Sequence, residues 1–507
     1  MSGPGEEAPP IARGPPERAA AGGSLGLARA LVRQAERAMV RASDAELVRG
    51  NTARILPDSP AAFDAWIGAV EEARQWIHLE NYIIRNDRMG RLFRDLLAAR
   101  AREGVRVRLL YDWVGCWATP ASFWRPLRAA GAEVRAFAPP RVTQPLRLFR
   151  RDHRKVVTVD GRYASVAGMC IGDEWVGDPT AGVPPWRDTG VEVTGPAAAV
   201  IDRAFARSWR EAGAMLPLDE IPDPHQAPHT GDVSVRVVEG EPGRSRIYRL
   251  SQFVAVGVEK RLWITDPYFV TPPAMTEALA AAARDDVDVR ILVPAYNNWP
   301  VIGGFSRAGY RPLLEAGVRL FEWEGPMIHA KTAVADGVWT RIGSSNLNLA
   351  SLLSNWELDL AILDRSVAER MEELFLRDLA SAVEITLPPP GAALGRRSLS
   401  RKAVRERDGG TPTPDVVAAR EARRRARRGS RVGRIVNRIS RASIVLGRAL
   451  IGQRHVGRED TAWILAIALV LILIAAAGFV SPRILAWPLA FAIFWIGIAS
   501  LYRALAR

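Results

Sequence analysis

Cysteine and histidine are both scarce in this chain. Among 507 residues there are two cysteines, Cys116 and Cys170, and six histidines. Two cysteines cannot form a disulfide framework, and their separation matches no metal-binding motif, so we expect a reducing compartment. The first 23 residues lack an apolar run and are rich in glycine, proline, alanine and charge. We therefore expect a disordered N-terminal tail and not a signal peptide.

Outside one segment, positively and negatively charged residues are equal in number. The formal net charge is +14, and residues 396–454 alone hold 18 Lys/Arg against 4 Asp/Glu, which accounts for all of that excess. Because the rest of the chain is balanced, a polyanion-binding face spread over the fold is not expected, and nucleic acid is a disfavoured partner. The length predicts roughly two to four domains.

Charge is missing altogether from two stretches near the C-terminus, residues 462–480 and 484–502. Each stretch can cross a hydrocarbon layer of about 30 Å at about 1.5 Å per residue. We predict two transmembrane helices within 461–507; the alternative is a buried helical pair in a soluble domain. Arginines flank the ends of this hairpin more than its turn. The positive-inside rule then predicts a multi-pass protein of a bacterial-type inner membrane, with catalytic domain and both termini cytoplasmic.

The basic segment before the hairpin, residues 391–460, is expected to be a juxtamembrane linker that contains an amphipathic helix. Arginines occupy one face of this segment. The other face carries apolar residues at helical spacing, namely Val432, Ile435, Val436 and Ile439. This pattern is typical of a helix lying on anionic lipid. A solvated basic linker and an RNA-binding run are the alternatives.

An internal duplication organises the central part of the chain. Strand-like and helix-like patterns alternate from residue 46 to 390, which predicts an α/β fold. Residues 1–45 comprise the tail and a basic amphipathic helix at 25–43. A segment dense in proline, aspartate and histidine, 216–232, is expected to be a linker between repeat 1 (46–215) and repeat 2 (233–390). We predict buried strands at 76–84, 105–114, 261–270 and 287–294, and helices at 91–102 and 273–284.

The same H-x-K-x4-D segment occurs once in each repeat. Both segments lie in a strand-like alternation, so each histidine points to the same face of the sheet as the lysine two residues later. Two such strands brought together would surround one cavity with two imidazoles and two ammonium groups. The aspartates fall beyond a turn and precede glycine, so we expect them to close the strand end and hold charge near the lysines. The six signature residues are His153, Lys155, Asp160, His329, Lys331 and Asp336.

These residue types suit chemistry on a phosphodiester. Lysines can stabilise the negative charge that grows on phosphate oxygens. One neutral imidazole can attack phosphorus, while the other gives a proton to the leaving alkoxide and later accepts one from the incoming hydroxyl. We assign His153 as the nucleophile and His329 as the acid and base. A single copy would fit an ordinary surface strand, whereas two copies at equivalent places indicate one catalytic site.

The paired segments resemble the signature of the phospholipase D superfamily, and the short sequence motifs around them, here called words, resemble those of its bacterial cardiolipin synthase branch. Those words include YDWVG (111–115), GDEW (172–175), DPYFV (266–270) and GSSN (343–346). The resemblance covers about 46–388. It implies two phospholipase D-like α/β repeats packed face to face around one shared active site, a phosphohistidine intermediate, and no cofactor or metal.

The resemblance also implies roles for residues outside the signature. In the second repeat, Ser344 or Ser345 and Asn346 are implied to bind phosphate. Asp188 and Glu357 are implied to orient the histidines. In the first repeat Cys170 stands where the superfamily usually has an asparagine, and a thiol is a weaker hydrogen-bond donor than an amide.

Three functions remain open on this sequence. The first is transfer of a phosphatidyl group to the hydroxyl of another phospholipid, such as phosphatidylglycerol, which yields cardiolipin and glycerol. The second is hydrolysis of phospholipids to phosphatidic acid, and the third is a lipid-binding scaffold with an impaired site, which Cys170 alone supports. The expected partners are anionic phospholipids and the bilayer, and the oligomeric state stays open. Members of the synthase branch usually carry their membrane helices before the catalytic region, whereas here they follow it.

Overall fold

The computed structural model describes residues 30, 33–140, 149–178, 180, 182–387 and 400–403. Residues 33–43 are helical, which agrees with the C-terminal part of the helix predicted at 25–43. The predicted tail, the predicted interfacial helix and both predicted membrane segments lie outside the described residues. Among the residues described, none of the helices combines the length and the apolar character needed to span a bilayer.

Sixteen strands form one mixed sheet within the described residues. The strands are β1 (Val48–Leu56), β2 (Trp76–Asn81), β3 (Arg106–Asp112), β4 (Glu133–Phe137), β5 (Lys155–Val159), β6 (Tyr163–Ala167), β7 (Gly190–Thr194), β8 (Val233–Gly240), β9 (Arg261–Thr265), β10 (Asp288–Pro294), β11 (Arg319–Trp323), β12 (Thr332–Ala335), β13 (Trp339–Gly343), β14 (Glu357–Leu363), β15 (Ala382–Thr386) and β16 (Ser400–Ala403).

Helices connect and cover these strands. The α-helices are Ser59–Glu72, Arg88–Arg102, Arg125–Ala129, Asp173–Val176, Pro196–Ala212, Arg246–Gly257, Pro273–Arg284, Pro300–Ala308, Tyr310–Glu315 and Arg365–Leu379. Short 3₁₀ turns lie at Ala121–Trp124 and Leu218–Glu220, and a π-helical turn lies at Ala350–Ser354. Three of the longer helices begin at an aspartate whose side chain accepts a backbone N–H of the first turn, which stabilises the helix start: Asp58, Asp87 and Asp364.

The strand order repeats about the middle of the sheet. One half runs β1-β7-β6-β5-β2-β3-β4, and the other runs β8-β14-β13-β12-β9-β10-β11, followed by β15 and β16 at its edge. The halves join where β1 and β8 pair in antiparallel orientation, with Val48 opposite Val235 and Asn51 opposite Val233. The strand order is thus repeated in the two halves, and the chain has an α/β fold with a large mixed sheet.

The two halves also share a hydrophobic core. Its largest cluster combines valines of the first half, such as Val166 and Val191, with Ile342 and Leu358 of the second. Helices Pro196–Ala212 and Arg365–Leu379 contribute to the same cluster. Because these side chains are buried only when both halves are present, much of the hydrophobic stabilisation depends on their association.

One edge of the sheet collects the chemistry-bearing residues of both halves. β2 and β3 run parallel and β5 runs antiparallel to them, so Asn81 at the end of β2 lies opposite Lys155 at the start of β5. In the second half Thr265 at the end of β9 lies opposite Thr332 at the start of β12. The H-x-K segments therefore enter their strands at the edge where the parallel strands end. We call this the site edge, and the opposite one the far edge.

Candidate active site

Each catalytic-type histidine is held by a carboxylate from the other half of the fold. The Nδ1 atom of His153 lies 2.9 Å from Oε2 of Glu357, and Nδ1 of His329 lies 2.8 Å from Oδ2 of Asp188. All four side chains are buried. These crossed pairs bring both H-x-K segments to one site and leave each Nε2 free of the carboxylate that holds the ring.

The backbone supports the crossed pairs in the same way on both sides. The N–H of His153 donates to the carbonyl of Trp356 at 2.8 Å, and the N–H of His329 donates to the carbonyl of Arg187 at 2.7 Å. Trp356 and Arg187 each precede the carboxylate residue of their half. The carboxylate is therefore fixed beside its histidine by a hydrogen bond of the adjacent peptide unit.

Both lysines lie inside the site and point back to their own histidines. Each Nζ donates to the carbonyl of the histidine two residues before it, and Nζ of Lys331 is 2.8 Å from Nδ1 of His329. Nζ of Lys155 is 5.1 Å from the centre of the Tyr82 ring, a cation–π contact. Burial lowers the pKa of Lys331 to about 8, and the neighbouring charge of Lys155 acts in the same direction.

Burial and the two ammonium groups keep the imidazoles neutral. Burial, and then the charge of Lys331, lower the pKa of His329 to about 3. The pKa of His153 is also lowered, again first by burial. Burial by itself would raise the pKa of Asp188 and of Glu357, but Lys331 and His329 around the former and His153 around the latter hold both below their ordinary values. The site thus combines anionic carboxylates with neutral imidazoles.

The GSSN segment has two different tasks. The hydroxyl of Ser344 donates to Oε2 of Glu357 at 2.5 Å and accepts the N–H of Leu358 at 2.9 Å, so it supports the carboxylate. In contrast, Oδ1 of Asn346 is a buried polar atom without a hydrogen-bond partner in the described residues. Ser345 lies against Asp359, which accepts its backbone N–H at 3.0 Å. Buried polar atoms are nearly always paired, so Asn346 is the member of the segment with free capacity for a ligand.

The two signature aspartates lie at the far edge, at the other end of β5 and β12 from the histidines. Asp160 accepts three backbone N–H groups at 2.7 to 2.8 Å, and Asp336 accepts three at 2.9 Å. Both aspartates have a positive φ, 55° and 51°. The hydrogen bonds of these carboxylates close the strand ends. Their partners are backbone amides, and, contrary to expectation, the aspartates do not hold charge near the lysines, because the lysines lie at the other end of the strands.

Four aromatic residues of the site were not found by sequence reasoning. The ring of Tyr82 is 4.8 Å from that of His153, and the ring of Tyr268 is 5.8 Å from that of His329. Trp186 and Trp175 lie 5.7 and 6.2 Å from His329. Tyr82 directly follows β2, and Tyr268 lies three residues after the end of β9, so each tyrosine follows the corresponding strand of its repeat. Their recurrence in both repeats could have revealed the two tyrosines from the sequence. The apolar residues around them, however, look like those of a buried core strand.

Cys170 is buried beside the lysines. Burial raises the pKa of its thiol, while the charges of Lys155 and Lys331 act in the opposite direction. The residue is thus part of the site, at the position that corresponds to Asn346. In the described ranges no group of three or more His, Cys, Asp or Glu side chains forms a metal-binding cluster.

The fold and the site together define the class of protein. Two copies of one α/β unit each supply a histidine and a lysine to one buried site, with a carboxylate behind each histidine. This arrangement, with the paired H-x-K-x4-D segments, is that of a phospholipase D-like enzyme.

Comparisons with known proteins narrow the class to a family. Residues 257–379 match the family model described as "Cardiolipin synthase, PLD-like domain". The chain is 36% identical over 335 residues to Cardiolipin synthase A of Pseudomonas putida (strain W619), an alignment that covers 66% of this chain and 69% of that protein. With Cardiolipin synthase A of Pseudomonas fluorescens it shares 35% identity over 338 residues, with the same coverage. The chain belongs to the cardiolipin synthase family and is an enzyme of that type.

A solved structure shows the same fold at much lower identity. The phosphatidylserine synthase of Haemophilus influenzae Rd KW20 superimposes with a TM-score of 0.55, covers 78% of this chain and 98% of its own, and is 14% identical. At this identity the likeness concerns the fold alone.

Proposed function

We propose that this enzyme moves a phosphatidyl group from one phosphatidylglycerol molecule to the free glycerol hydroxyl of another, through a covalent intermediate on His153. The observation that carries the proposal is the pair of crossed contacts, His153 with Glu357 and His329 with Asp188. Without them the two histidines would belong to separate half-sites, and no single phosphorus atom could be reached from both sides.

In the first step, Nε2 of His153 attacks the phosphorus of the donor lipid. A bond between nitrogen and phosphorus forms, and the bond between phosphorus and the oxygen of the headgroup glycerol breaks. The ring becomes cationic, and Glu357 at its Nδ1 stabilises that charge. His329 gives a proton to the departing alkoxide, so glycerol leaves as a neutral alcohol.

The protonation of His329 depends on the substrate in this scheme. Burial and the charge of Lys331 keep this histidine neutral. A bound phosphodiester brings one negative charge among the two lysines and therefore raises the affinity of a nearby imidazole for a proton. The acid would form when donor lipid is bound, which limits the reaction to the loaded site.

In the second step, a hydroxyl of the acceptor lipid gives its proton to His329 and attacks phosphorus. The nitrogen–phosphorus bond breaks, cardiolipin is released and His153 returns to its neutral form. Lys155, Lys331 and Asn346 would contact the phosphate oxygens throughout. The burial of both histidines supports a lipid alcohol over water as the acceptor, because a site that excludes water disfavours hydrolysis.

Membrane attachment completes the proposal. Residues 461–507 would form the transmembrane hairpin, and the basic segment 391–460 would connect it to the two repeats, 46–215 and 233–390, on the cytoplasmic side of an inner membrane. The uncharged stretches and the distribution of arginines support this topology.

The test is lipid analysis of bacterial cells that lack their own cardiolipin synthases and express the full chain. We expect cardiolipin with the wild type and none with His153→Ala or His329→Ala. His225→Ala, which changes an exposed linker histidine, serves as the matched control and should behave as the wild type. Accumulation of phosphatidic acid would show that the enzyme hydrolyses phospholipids and does not transfer the phosphatidyl group to a lipid. If the lipid composition is unchanged although the folded protein is in the membrane, the site is impaired.

A further inference from the structure

Several exposed aromatic side chains lie in loops that contact residues of the active site. Among the described residues, five large aromatic side chains are exposed. Four of them lie in two loops that contact the site, Trp113, Trp117, Tyr296 and Trp299, and the fifth is Phe149. Aromatic side chains are costly to expose to water, and a group of them on one side of a protein marks an interaction surface.

In the first half the aromatic loop follows β3. Asp112, the last residue of β3, accepts the N–H of Asp152 at 2.9 Å, directly before His153. In the loop itself, Sγ of Cys116 accepts the N–H of Ile84 at 3.2 Å and lies 3.7 Å from the carbonyl of Tyr82, whose ring touches His153. Trp117, the next residue, is 76% exposed. It is thus fixed outward beside the nucleophile.

The second half repeats this arrangement after β10. The amide of Asn297 donates to the carbonyl of Pro267 at 2.7 Å, and the hydroxyl of Tyr268 donates to Oδ1 of Asn298 at 2.8 Å. Tyr268 touches His329, and the neighbouring Trp299 is 64% exposed. A third loop adds the exposed Leu349 and Leu353, next to Asn348, whose amide donates to the carbonyl of Tyr268.

These three loops contain no charged residue. The segments 113–120, 295–306 and 347–356 lack Asp, Glu, Lys and Arg, although 24% of the chain is charged. We call them together the aromatic rim. A surface that binds another protein usually has charged or hydrogen-bonding groups at its border. An uncharged surface with tryptophan and tyrosine beside aliphatic side chains suits the interface between lipid headgroups and acyl chains.

We propose that the aromatic rim inserts into the surface of the bilayer and seats the mouth of the active site on it, so that phospholipid enters without crossing water. The inference rests on the proposed function for its occupant, because a phospholipid-transferring site needs its substrate from a membrane. It adds a second membrane contact, separate from the C-terminal hairpin, and assigns it to loops of both halves.

The first test measures contact with lipid independently of catalysis. The full chain is reconstituted in phosphatidylglycerol/phosphatidylethanolamine vesicles, with an environment-sensitive fluorophore attached at Trp117→Cys, at Trp299→Cys or at Val256→Cys. Val256 is the matched control, since it is 77% exposed and lies near the far edge, three residues before Glu259, whose N–H binds Asp336. The two native cysteines are buried and should not react.

Lipids carrying a spin label just below the headgroup should quench the fluorophore at both rim positions and not at Val256. Equal quenching at all three positions, or none at the rim, would overturn the proposal. Blue-shifted emission at the rim without quenching by lipid would indicate a second copy or another protein on this surface, and would overturn it as well.

The second test compares two forms of the same substrate. With Trp117→Ser/Trp299→Ser, the ratio of the rate on long-chain phosphatidylglycerol in vesicles to the rate on monomeric short-chain phosphatidylglycerol should fall at least about fivefold. Val256→Ser should leave that ratio unchanged. Quenching at the rim without turnover by the wild type would contradict the proposed function and support the rim, whereas turnover with an unchanged ratio would contradict the rim alone.

Discussion

The contact between Glu357 and His153 offers the sharpest test of the shared site. In Glu357→Gln the side chain keeps its shape and can still accept the hydrogen bonds of His153 and Ser344, while Asn355, which donates to Oε1 at 3.1 Å, can turn its amide. The substitution therefore removes a charge and little else. That charge matters most when the imidazole of His153 becomes cationic on forming its bond to phosphorus.

The magnitude follows from the geometry. Two opposite unit charges about 4 Å apart interact by about 4 kcal/mol at an effective dielectric constant near 20. Part of this is retained, since a neutral hydrogen bond of about 1 kcal/mol remains. At about 1.4 kcal/mol per factor of ten, we expect kcat to fall by about 10² to 10³.

The assay is the initial rate of cardiolipin formation by the purified full chain in phosphatidylglycerol vesicles, with thermal melting as a check of folding. Glu192→Gln is the matched control, because Glu192 pairs with the mostly exposed Arg54 and has no contact with a histidine. A folded Glu357→Gln variant with kcat within about threefold of the wild type would refute the role of this carboxylate, and with it the crossed arrangement as the basis of catalysis.

Three further predictions follow from the site and its supports. Asp160→Ala or Asp336→Ala removes three hydrogen bonds to backbone amides at a residue with positive φ, so thermal melting should show a loss of about 2–3 kcal/mol in the free energy of unfolding while kcat of the folded enzyme is kept. The pKa of His329 is about 3 in the folded chain, so between pH 6.5 and 3 the unfolded chain binds one proton more, and the free energy of unfolding falls as the pH falls. In denaturant unfolding, His329→Ala should therefore lose roughly 3 kcal/mol less of that free energy than the wild type between pH 7 and 4. The same pH dependence in both proteins would contradict the shift. Cys170→Asn supplies an amide donor beside Lys155 and Lys331, so KM for phosphatidylglycerol should fall severalfold in steady-state kinetics, whereas an unchanged KM would mean that this position does not reach the phosphate.

Much of this fold could be predicted from the sequence, because the same order of strands and helices occurs in both halves. The apolar runs that predict strands at 105–114, 261–270 and 287–294 contain β3, β9 and β10, and the helix predicted at 273–284 matches Pro273–Arg284. The strand predicted at 76–84 ends earlier, at Asn81, because the chain turns there to place Tyr82 against His153. Periodicity cannot distinguish an aromatic residue that completes a strand from one that leaves it to line a cavity.

The partners of the site residues could not be predicted from the sequence. The resemblance implied that Asp188 and Glu357 orient histidines, but which carboxylate serves which histidine depends on how the halves are joined. Ser344 was one of two candidates for phosphate binding, and in the structure its hydroxyl binds Glu357 instead.

The linker shows the same limit. Residues 216–232 were expected to be a linker between the halves, because proline, aspartate and histidine are dense there. Within it Glu220 is buried and contacts His78 at 3.3 Å and Arg108 at 2.8 Å. His78 in turn binds Asp202 at 2.6 Å. A buried ion network of this kind depends on residues far apart in sequence, which composition does not reveal.

The crossed pairs also have a consequence for synthesis of the protein. The histidine at position 153 leaves the ribosome about 200 residues before Glu357, the carboxylate that holds its ring. A nascent chain that has folded only its first half therefore has an H-x-K segment whose histidine lacks its carboxylate partner. We expect the site to stay inactive until both halves have been made and have associated.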